Sequence, residues 1–228
     1  MDSFREGAYR ERNLPLVKKA LSLLSSGMYV GLGSGRAASL FIEELGREID
    51  REALRSIVGV ASSEESRFLA KRWHIPLIEG MNFPPLDWVI DGADFVDSRG
   101  WMIKGGGGAL FREKVLISQS RRVCILIQEE KRLSAIEEAP SLPLELSSFG
   151  MEGTLEQLCA MGHLPVLRKD ERGVPRETAE GNQTVDLYFR NSLFSLETLH
   201  RQLLSLPALL ETGAFFLPHA TVFSSSRP

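Results

Sequence analysis

Acidic side chains gather in one stretch of this chain, "IDGADFVDSRGWMIKGGGGALFREK", which runs from residue 90 to residue 114. The apolar run "LDWVID" predicts a buried strand that delivers Asp91 to its carboxyl end, the edge at which open α/β sheets bind ligands. Asp94 follows three residues later, and the small residues Gly92 and Ala93 let its carboxylate point to the same place. The alternative is that both aspartates only accept hydrogen bonds from turn amides, as aspartates often do.

A lysine and a run of glycines follow the aspartates. Lys104 directly precedes Gly105–Gly108, and a predicted helix begins after the run. Consecutive glycines cost backbone entropy on folding, which indicates that side chains would obstruct something that approaches the backbone there. The lysine cation and the adjoining N–H groups are the parts of an oxyanion hole.

Glu113 lies in the predicted helix after the glycine run, between Arg112 and Lys114. A carboxylate base beside a preorganised anion site could remove a proton from a carbon next to a carbonyl group and hold the resulting enediolate. The alternative is that the Arg-Glu-Lys triplet is a solvated charged face of the helix. We predict mainly structural roles for Arg112, for Lys114 and for Asp97, which precedes the turn "SRG".

The segment "GLGSGR", Gly31 to Arg36, lies between a predicted strand and a predicted helix, where backbone amides and the helix N-terminus attract anions. Arg36 stands where the dinucleotide fingerprint needs a third glycine, and the segment lacks the Gly-Lys-Ser/Thr of a Walker A loop. These departures disfavour a dinucleotide cofactor or ATP. Ser34 and Arg36 carry donors that suit phosphate oxygens, so the segment is a candidate phosphate site, although a plain glycine turn would also explain it.

The segment "SSEES" contains two further candidates, Ser62 and Ser63. They could cap the next predicted helix, which is a structural role. They also follow a predicted parallel strand, so they could face the same crevice as the glycine loop. We rank them as secondary site candidates.

The elements that would position these residues alternate between helix and strand, which is the pattern of a parallel sheet with crossover helices. The first helix is predicted from Leu14, with Pro15 near its start and Gly27 just past its end. The predicted helices are "LPLVKKALSLLSSG", "RAASLFIEELGRE", "SSEESRFLAKRWH" and "ALFREKVLISQS", and the predicted strands are "MYVGLG", "SIVGVA", "IPLIE", "LDWVID" and "RVCILIQ".

From about residue 130 to residue 205 the pattern changes to strand, helix, strand, strand, helix, which is typical of a small α+β domain of the split-βαβ type. We therefore predict one domain from residues 1–129 and 206–228, with a second domain, residues 130–205, inserted in it. The tail segment "GAFFLPHATVFSS" contains two short apolar runs that are predicted to return to the main sheet.

The overall composition sets limits on function. The 228 residues carry a net charge of -3 with a pI near 5.9, which offers no basic surface for nucleic acid. Cys124 and Cys159 lack metal-ligand spacing, and we predict that both are buried thiols in a reducing compartment. The sequence shows neither a signal peptide nor an apolar run of membrane-spanning length, so we expect a cytoplasmic protein with no membrane partner.

Several motifs together resemble the A-type ribose-5-phosphate isomerase family. They are "GLGSG", "SIVGVASSEES", "DGADFVD", "KGGGGALFREK" and Lys131 after "CILIQEE", and the similarity covers nearly the whole chain in order and spacing. The resemblance implies an α/β fold, with a Rossmann-like open parallel sheet domain and a smaller inserted α+β domain that is ferredoxin-like. It also implies a homo-oligomer, either a dimer or a tetramer, that needs no metal and no cofactor.

The activity that the resemblance implies is the interconversion of D-ribose 5-phosphate and D-ribulose 5-phosphate through an enediol, in the non-oxidative branch of the pentose phosphate pathway. Glu113 would carry the proton between C1 and C2, Asp91 and Asp94 would bind sugar hydroxyls, and Lys104 would stabilise the enediolate. The implied substrate-binding positions are Ser34, Gly35, Arg36, Ala37, Gly92, Ala93, Gly105, Gly106, Gly107 and Lys131.

Three departures from the family pattern concern the substrate site. The family loop Gly-Thr-Gly-Ser-Thr is Gly-Ser-Gly-Arg-Ala here, which replaces two hydroxyls by Arg36 and Ala37. Phe95 stands where the family has a glutamate, and the region around Asn13 offers no counterpart for a lysine that is common early in the first helix. The candidate catalytic residues themselves are unchanged.

Other functions remain open at this level. A non-catalytic domain that senses a sugar phosphate would share the fold, but the regulators of that type carry a DNA-binding segment ahead of the sensor. Only about a dozen polar residues precede the first predicted helix here, so we favour the enzyme. An isomerase of a different sugar phosphate is a second alternative, and a related acyl-CoA transferase, whose nucleophile would also be a glutamate, is a third.

Overall fold

The computed structural model of the chain describes residues 2–80, 82–189 and 195–225. The helices are α1 (Asp2–Leu21), α2 (Gly35–Asp50), α3 (Glu64–Arg72), α4 (Leu110–Ser118), α5 (Met151–Ala160) and α6 (Leu196–Leu203). The strands are β1 (Tyr29–Leu32), β2 (Val58–Ala61), β3 (Trp88–Gly92), β4 (Phe95–Val96), β5 (Trp101–Ile103), β6 (Val123–Gln128), β7 (Ser141–Leu146), β8 (Leu164–Leu167), β9 (Gln183–Tyr188), β10 (Leu209–Thr212), β11 (Ala214–Phe216) and β12 (Thr221–Ser225).

Contacts between Cα atoms divide the chain into two compact units. Unit 1 comprises the described residues within Met1–Ala93, Arg112–Arg132 and His219–Pro228, and unit 2 comprises those within Asp94–Phe111 and Leu133–Pro218. This division differs from the predicted domain boundaries mainly because residues 94–111 and 206–218 make their contacts within unit 2.

Unit 1 contains a parallel sheet whose strand order, over the residues described, is β12-β6-β3-β1-β2. The stretch Trp88–Asp91 of β3 is buried throughout, as is typical of a strand in the middle of a parallel sheet. Helix α2 adds Phe41, Ile42 and Leu45 to the same core. Because β2 lies on one side of β1 and β3 on the other, the strand order reverses between β1 and β3. Open α/β sheets bind ligands at such a switch point, beyond the carboxyl ends of the strands.

Helix α1 is longer than the sequence predicts. It begins at Asp2 instead of Leu14, continues through Pro15 and ends at Leu21. Tyr9 and Leu16 both pack on the core of unit 1, so the apparently polar segment has an apolar side that supports a helix. The expectation that about a dozen polar residues precede the first helix is therefore wrong.

The segment "IPLIE", residues 75–79, does not form the predicted strand. Leu77 makes a single isolated parallel bridge with Gly59 of β2. The neighbouring Pro76 has no backbone N–H and cannot donate to a ladder, which explains why an apolar run of this length stays irregular.

Unit 2 follows the chain order β7, α5, β8, β9, α6, β10, and its larger sheet is ordered β10-β7-β9-β8 in the part of the chain that is described. Neighbouring strands of this sheet are antiparallel. This βαββαβ arrangement is ferredoxin-like, so the predicted split-βαβ pattern is confirmed. Leu144, Leu158, Val185 and Leu199 belong to its core.

The two apolar runs of the tail go to different units. Strand β12 pairs in parallel with β6 of unit 1, as predicted. Strand β11 instead pairs with β5 in the small antiparallel sheet of unit 2. The prediction is therefore right for the second run and wrong for the first.

The two cysteines also differ from each other. Cys124 is buried in β6, as predicted, whereas Cys159 is exposed on α5. Helix α5 buries Leu158, and the next residue on a helix is rotated by about 100° away from that buried side. The predicted burial of Cys159 is therefore wrong.

Candidate active site

Asp91 and Ser34 meet at the switch point of the unit 1 sheet. Asp91 lies near the carboxyl end of β3 and is fully buried. Its Oδ1 accepts hydrogen bonds from the N–H of Ser34, at 3.0 Å, and from the N–H of Gly92, at 2.7 Å. Ser34 is the N-cap residue of α2 and follows the loop after β1. The predicted placement of Asp91 at a strand end is confirmed, and its carboxylate binds two backbone amides as well.

The contact between Ser34 and Asp91 requires glycine at position 33, in the loop after β1. A Cβ atom on Gly33 would lie 2.1 Å from Oδ1 of Asp91, and the N–H of Gly33 donates to the carbonyl of Ile90 at 3.0 Å. A Cβ on Gly92 would lie 3.8 Å from that of Ala37, at the start of α2. The glycine loop therefore brings the start of α2 close to the end of β3.

Glu113 completes this cluster in unit 1. The first turn of α4 carries Glu113, whose side chain is almost fully buried at 3% exposure. Its Oε1 accepts a hydrogen bond of 2.5 Å from the hydroxyl of Ser34. Ser34 therefore binds Asp91 through its backbone and Glu113 through its side chain. The alternative of a solvated charged face does not apply to Glu113, although Arg112, which is 3.7 Å from Glu64, fits it.

Lys131 links the ends of strands β6 and β3 in unit 1. It lies in the short 3₁₀ turn Glu129–Lys131 that follows β6. Its Nζ donates a hydrogen bond of 3.0 Å to the carbonyl of Ala93, just after β3. The family resemblance places Lys131 at the substrate, and the structure places it beside the chain segment that carries Asp91.

Lys104 and Asp94 belong to unit 2. Lys104 follows β5 and is 3% exposed, and its N–H donates to the carbonyl of Gly213 at 2.9 Å. Its ammonium lies 5.6 Å from the centre of the Phe215 ring, within the range of a cation–π contact. Asp94 accepts the N–H of Gly106 on Oδ2 at 2.8 Å. The N–H of Gly106, in the glycine run, thus binds Asp94, which the sequence analysis predicts as a site residue.

The glycine run has little space for side chains. Gly105 has a φ of 105°, and a Cβ there would lie 2.8 Å from the Leu110 side chain. A Cβ on Gly106 would lie 2.8 Å from Oδ1 of Asp94. The first of these positions needs glycine for both its backbone angle and its contacts, and the second needs it because of the carboxylate. The predicted close approach to bare backbone is confirmed for both.

Arg168 is a residue of this region that the sequence reasoning missed. Its Nη1 donates to the carbonyls of Gly105 and Gly106 at 2.7 and 3.1 Å. Its Nε and Nη2 bind the two carboxylate oxygens of Asp186 at 2.8 and 2.7 Å. A signal was available, because Asp186 interrupts the apolar strand "TVDLY" and a buried carboxylate needs a cationic partner.

Arg36 contacts two residues of α1. Its guanidinium lies 3.8 Å from the centre of the Tyr9 ring and 3.5 Å from the Glu6 carboxylate, with 61% of its side chain exposed. Burial raises the pKa of the Tyr9 phenol, and the charge of Arg36 opposes that shift. A cavity of about 290 Å³ adjoins it, lined by Arg10 and Arg36 but also by Glu6, Glu43 and Glu65. Phosphate binding by Arg36 stays a prediction.

Phe95 replaces a polar family residue with an apolar contact. It lies on β4 of unit 2 opposite Ile103 of β5, and it packs against the core of that unit. The position therefore contributes packing in this chain, where the family has a glutamate.

Two of the remaining candidates, Ser63 and Asp97, have structural roles. Ser63 is the N-cap of α3 and forms a capping box with Ser66. Ser62 next to it is fully buried. Asp97 accepts the N–H groups of Arg99 and Trp101 at 2.9 and 3.1 Å, so its predicted role in the turn is confirmed.

The described part of the chain offers neither a metal cluster nor a membrane-spanning helix. Over residues 2–80, 82–189 and 195–225, no group of three or more His, Cys, Asp or Glu side chains could hold a metal ion. Within the same ranges, every helix is too short or too polar to cross a bilayer.

The fold is that of an α/β enzyme, with buried carboxylates at the switch point of unit 1 and a lysine beside the glycine run of unit 2. The family model of Ribose 5-phosphate isomerase A (phosphoriboisomerase A) matches residues 58–227. This chain belongs to that family.

Individual relatives agree with this assignment. Ribose-5-phosphate isomerase A of Chlamydia felis is 40% identical over 209 residues, 92% of this chain and 89% of its own length. The Methanococcus aeolicus protein of the same name is 36% identical, with 89% and 86% covered. The structure of ribose 5-phosphate isomerase A from Methanocaldococcus jannaschii superposes with a TM-score of 0.86 at 29% identity, with 95% of each chain covered.

Proposed function

We propose that this chain interconverts D-ribose 5-phosphate and D-ribulose 5-phosphate through an enediolate, with Glu113 as the base. Membership of the ribose 5-phosphate isomerase A family supports the reaction. The buried Glu113 carboxylate, held by the Ser34 hydroxyl in the same cluster as Asp91, is the observation that carries the choice of base.

The chemistry needs one proton to move between two carbons. Glu113 removes the proton from C2 of the open-chain aldose, and the electron pair of that C–H bond forms a C1–C2 double bond while the aldehyde oxygen becomes an enediolate. The O2 proton then passes to O1, and Glu113 returns its proton to C1. The product is the ketose with its carbonyl at C2, so no electron donor or acceptor is consumed.

The other residues are assigned by the charge that each step creates. Lys104 and the N–H groups of Gly105 and Gly107 stabilise the negative oxygen of the enediolate, while the N–H of Gly106 holds the Asp94 carboxylate beside the glycine run. Asp91 and Asp94 bind sugar hydroxyls and assist ring opening and the transfer between O2 and O1. The residues proposed to line the substrate and its phosphate are Ser34, Gly35, Arg36, Ala37, Gly92, Ala93 and Lys131.

The most direct test is Glu113→Gln, measured with purified protein, ribose 5-phosphate and no added metal. The amide cannot accept the proton, so we expect kcat to fall at least about a hundredfold. Glu152→Gln, an exposed glutamate on α5, is the matched control and should keep wild-type activity. Full activity of Glu113→Gln, or no turnover by the wild type, would contradict the proposal.

Isotope exchange separates this route from a hydride shift. In deuterium oxide the proton on Glu113 exchanges with solvent, so we expect deuterium at C1 of the ketose product. Solvent deuterium at C1 would exclude a hydride shift. A product that carries none would count against a proton on Glu113 that exchanges with water before it returns to carbon.

The cellular setting follows from the same reaction. We propose that the protein acts in the non-oxidative pentose phosphate pathway of the cytoplasm, as a homodimer or homotetramer, without a bound cofactor. The support is its family, and sedimentation of the purified protein would measure the number of subunits. A sugar-phosphate sensor without catalysis is not favoured, because binding alone does not need a buried carboxylate held as Glu113 is.

A further inference from the structure

Arg168 and Asp186 form a largely buried ion pair on one face of the large sheet of unit 2. Their side chains are only 14% and 22% exposed. The N–H of Arg168 bonds to the carbonyl of Thr184, so Arg168 and Asp186 are diagonal neighbours across β8 and β9. A diagonal pair of this kind is within reach of a long side chain. Both carboxylate oxygens of Asp186 are engaged, which fixes the plane of the guanidinium.

The remaining guanidinium nitrogen, Nη1, donates to the glycine run. Nη1 of Arg168 binds the carbonyl oxygens of Gly105 and Gly106. These carbonyls belong to the peptide groups whose N–H donors come from Gly106 and Gly107. In a planar trans peptide the C=O and N–H bonds point in opposite directions, so a contact that holds the carbonyls on one side directs the N–H groups to the other side.

The N–H of Gly106 shows which residue lies on the side of the peptide group opposite Arg168. The N–H of Gly106 donates to Asp94 at 2.8 Å, while the carbonyl of the same peptide group accepts from Arg168 at 2.7 Å. A single peptide group therefore connects Arg168 to Asp94. The positive charge at the carbonyl end also polarises the peptide and strengthens its N–H as a donor.

We propose that Arg168, locked in place by Asp186, is a positioning residue that aims the N–H of Gly106 at the Asp94 carboxylate and the N–H of Gly107 at the enediolate. This inference rests on the proposed role of the glycine run in stabilising the enediolate. Because Asp186 offsets the charge of Arg168, Arg168 acts mainly by orienting these peptide groups. The role needs the planar fork of arginine, since a lysine ammonium cannot hold two carbonyls and a bidentate carboxylate at once.

The test compares Arg168→Lys, Arg168→Met and Asp186→Asn with the wild type in steady-state kinetics on ribose 5-phosphate. Donors that stabilise only the enediolate affect kcat more than KM, so we expect kcat to fall at least about tenfold for both Arg168 variants. KM should stay within about threefold, because ground-state binding is retained. Asp186→Asn keeps the arginine but loosens it, and should give an intermediate kcat.

The matched control is Arg99→Lys. Arg99 is also in unit 2 and also binds an aspartate, Asp97, through Nε, but its side-chain hydrogen bonds go to carboxylates and not to the glycine run. We expect wild-type kcat and KM from this variant. Circular dichroism and thermal unfolding establish that each variant is folded, and if the Arg168 variants do not fold, Asp186→Asn decides the question.

The outcomes separate the two proposals. An active wild type with Arg168 and Asp186 variants of unchanged kcat overturns the positioning role alone. A rise in KM at constant kcat also overturns it, because it indicates ground-state binding. A wild type without isomerase activity overturns the proposed function and this inference together.

Discussion

Ser34 shows how a single residue can organise two carboxylates. Its N–H binds Asp91 and its hydroxyl binds Glu113, so both carboxylates are held next to the same residue. Its hydroxyl is unavailable as a helix cap for α2, and Ser34 makes no side-chain cap bond there. A residue of the type that usually caps helices is instead used to position catalytic candidates.

Gly33→Ala tests this arrangement at the residue scale. The new Cβ would lie 2.1 Å from the Asp91 carboxylate oxygen, so the loop or Asp91 must move. We expect kcat/KM to fall at least about tenfold and the free energy of unfolding to fall by about 1–3 kcal/mol. The measurements are steady-state kinetics and urea unfolding.

Gly153→Ala is the matched control for that substitution. Gly153 lies in α5, and a Cβ atom added to it would meet nothing within 4 Å beyond its chain neighbours and the backbone of its own helix. Alanine favours a helix over glycine, so this variant should gain about 0.5–1 kcal/mol of unfolding free energy with unchanged kinetics. Equal effects of the two substitutions would contradict the steric explanation for Gly33.

Among the elements, β7 supports the glycine run from one face. Pro143 of β7 would contact a Cβ on Gly105, and Glu145 is on the same face two residues later. The Glu145 carboxylate is fully buried and accepts hydrogen bonds of 2.9 Å from Thr178 and Asn182. Burial raises the pKa of Glu145, and these two hydrogen bonds oppose the shift without cancelling it.

The raised pKa of Glu145 predicts a pH dependence of stability. The folded state holds this proton to a higher pH than the unfolded state does, so stability is lost as pH rises from about 4.5 through the raised pKa. Glu145→Gln removes this proton equilibrium. We expect its free energy of unfolding to rise relative to that of the wild type between about pH 4 and about pH 7.

Urea unfolding at several pH values measures this difference. The exposed Glu152→Gln on α5 is the control and should track the wild type. If the difference between Glu145→Gln and the wild type stayed constant across the pH range, Glu145 would not titrate with the predicted shift.

At the scale of the whole molecule, each unit has its own hydrophobic core. Cys124 belongs to the core of unit 1, whereas Cys159 is exposed on α5 of unit 2. Burial raises the pKa of the Cys124 thiol to about 12. The thiolate is the reactive form, so folding protects Cys124 both by excluding reagents and by suppressing ionisation.

Thiol titration with a chromogenic disulfide at about pH 8 tests this protection. We expect one thiol, Cys159, to react quickly in the native protein and both to react after unfolding. The variant Cys159→Ser should show no fast native phase. A fast reaction of Cys124 in that variant would mean that the core of unit 1 opens far more readily than its packing indicates.

Local patterns were enough to predict much of the fold. The alternation of helix and strand, the buried runs "LDWVID" and "RVCILIQ", and the later strand-helix-strand-strand-helix pattern all correspond to elements of the structure. They were predictable because burial on both faces of a sheet, or on one side of a helix, leaves a regular apolar pattern in the sequence. The N-terminal part of helix α1 was missed because its packing partners decided it, and "IPLIE" was wrongly predicted as a strand because Pro76 interrupts it.

The candidate site was likewise predictable only in part from the sequence. Residue types and spacing were enough to identify the groups that could do the chemistry, including Asp91, Lys104, the glycine run and Glu113. The contacts by which Ser34 joins Asp91 to Glu113, and by which Arg168 and Asp186 hold the glycine run, are seen only in the folded chain. The reason is physical: these hydrogen bonds join residues 18 to 79 positions apart in the chain, and no local pattern records which distant partners folding brings within 3 Å.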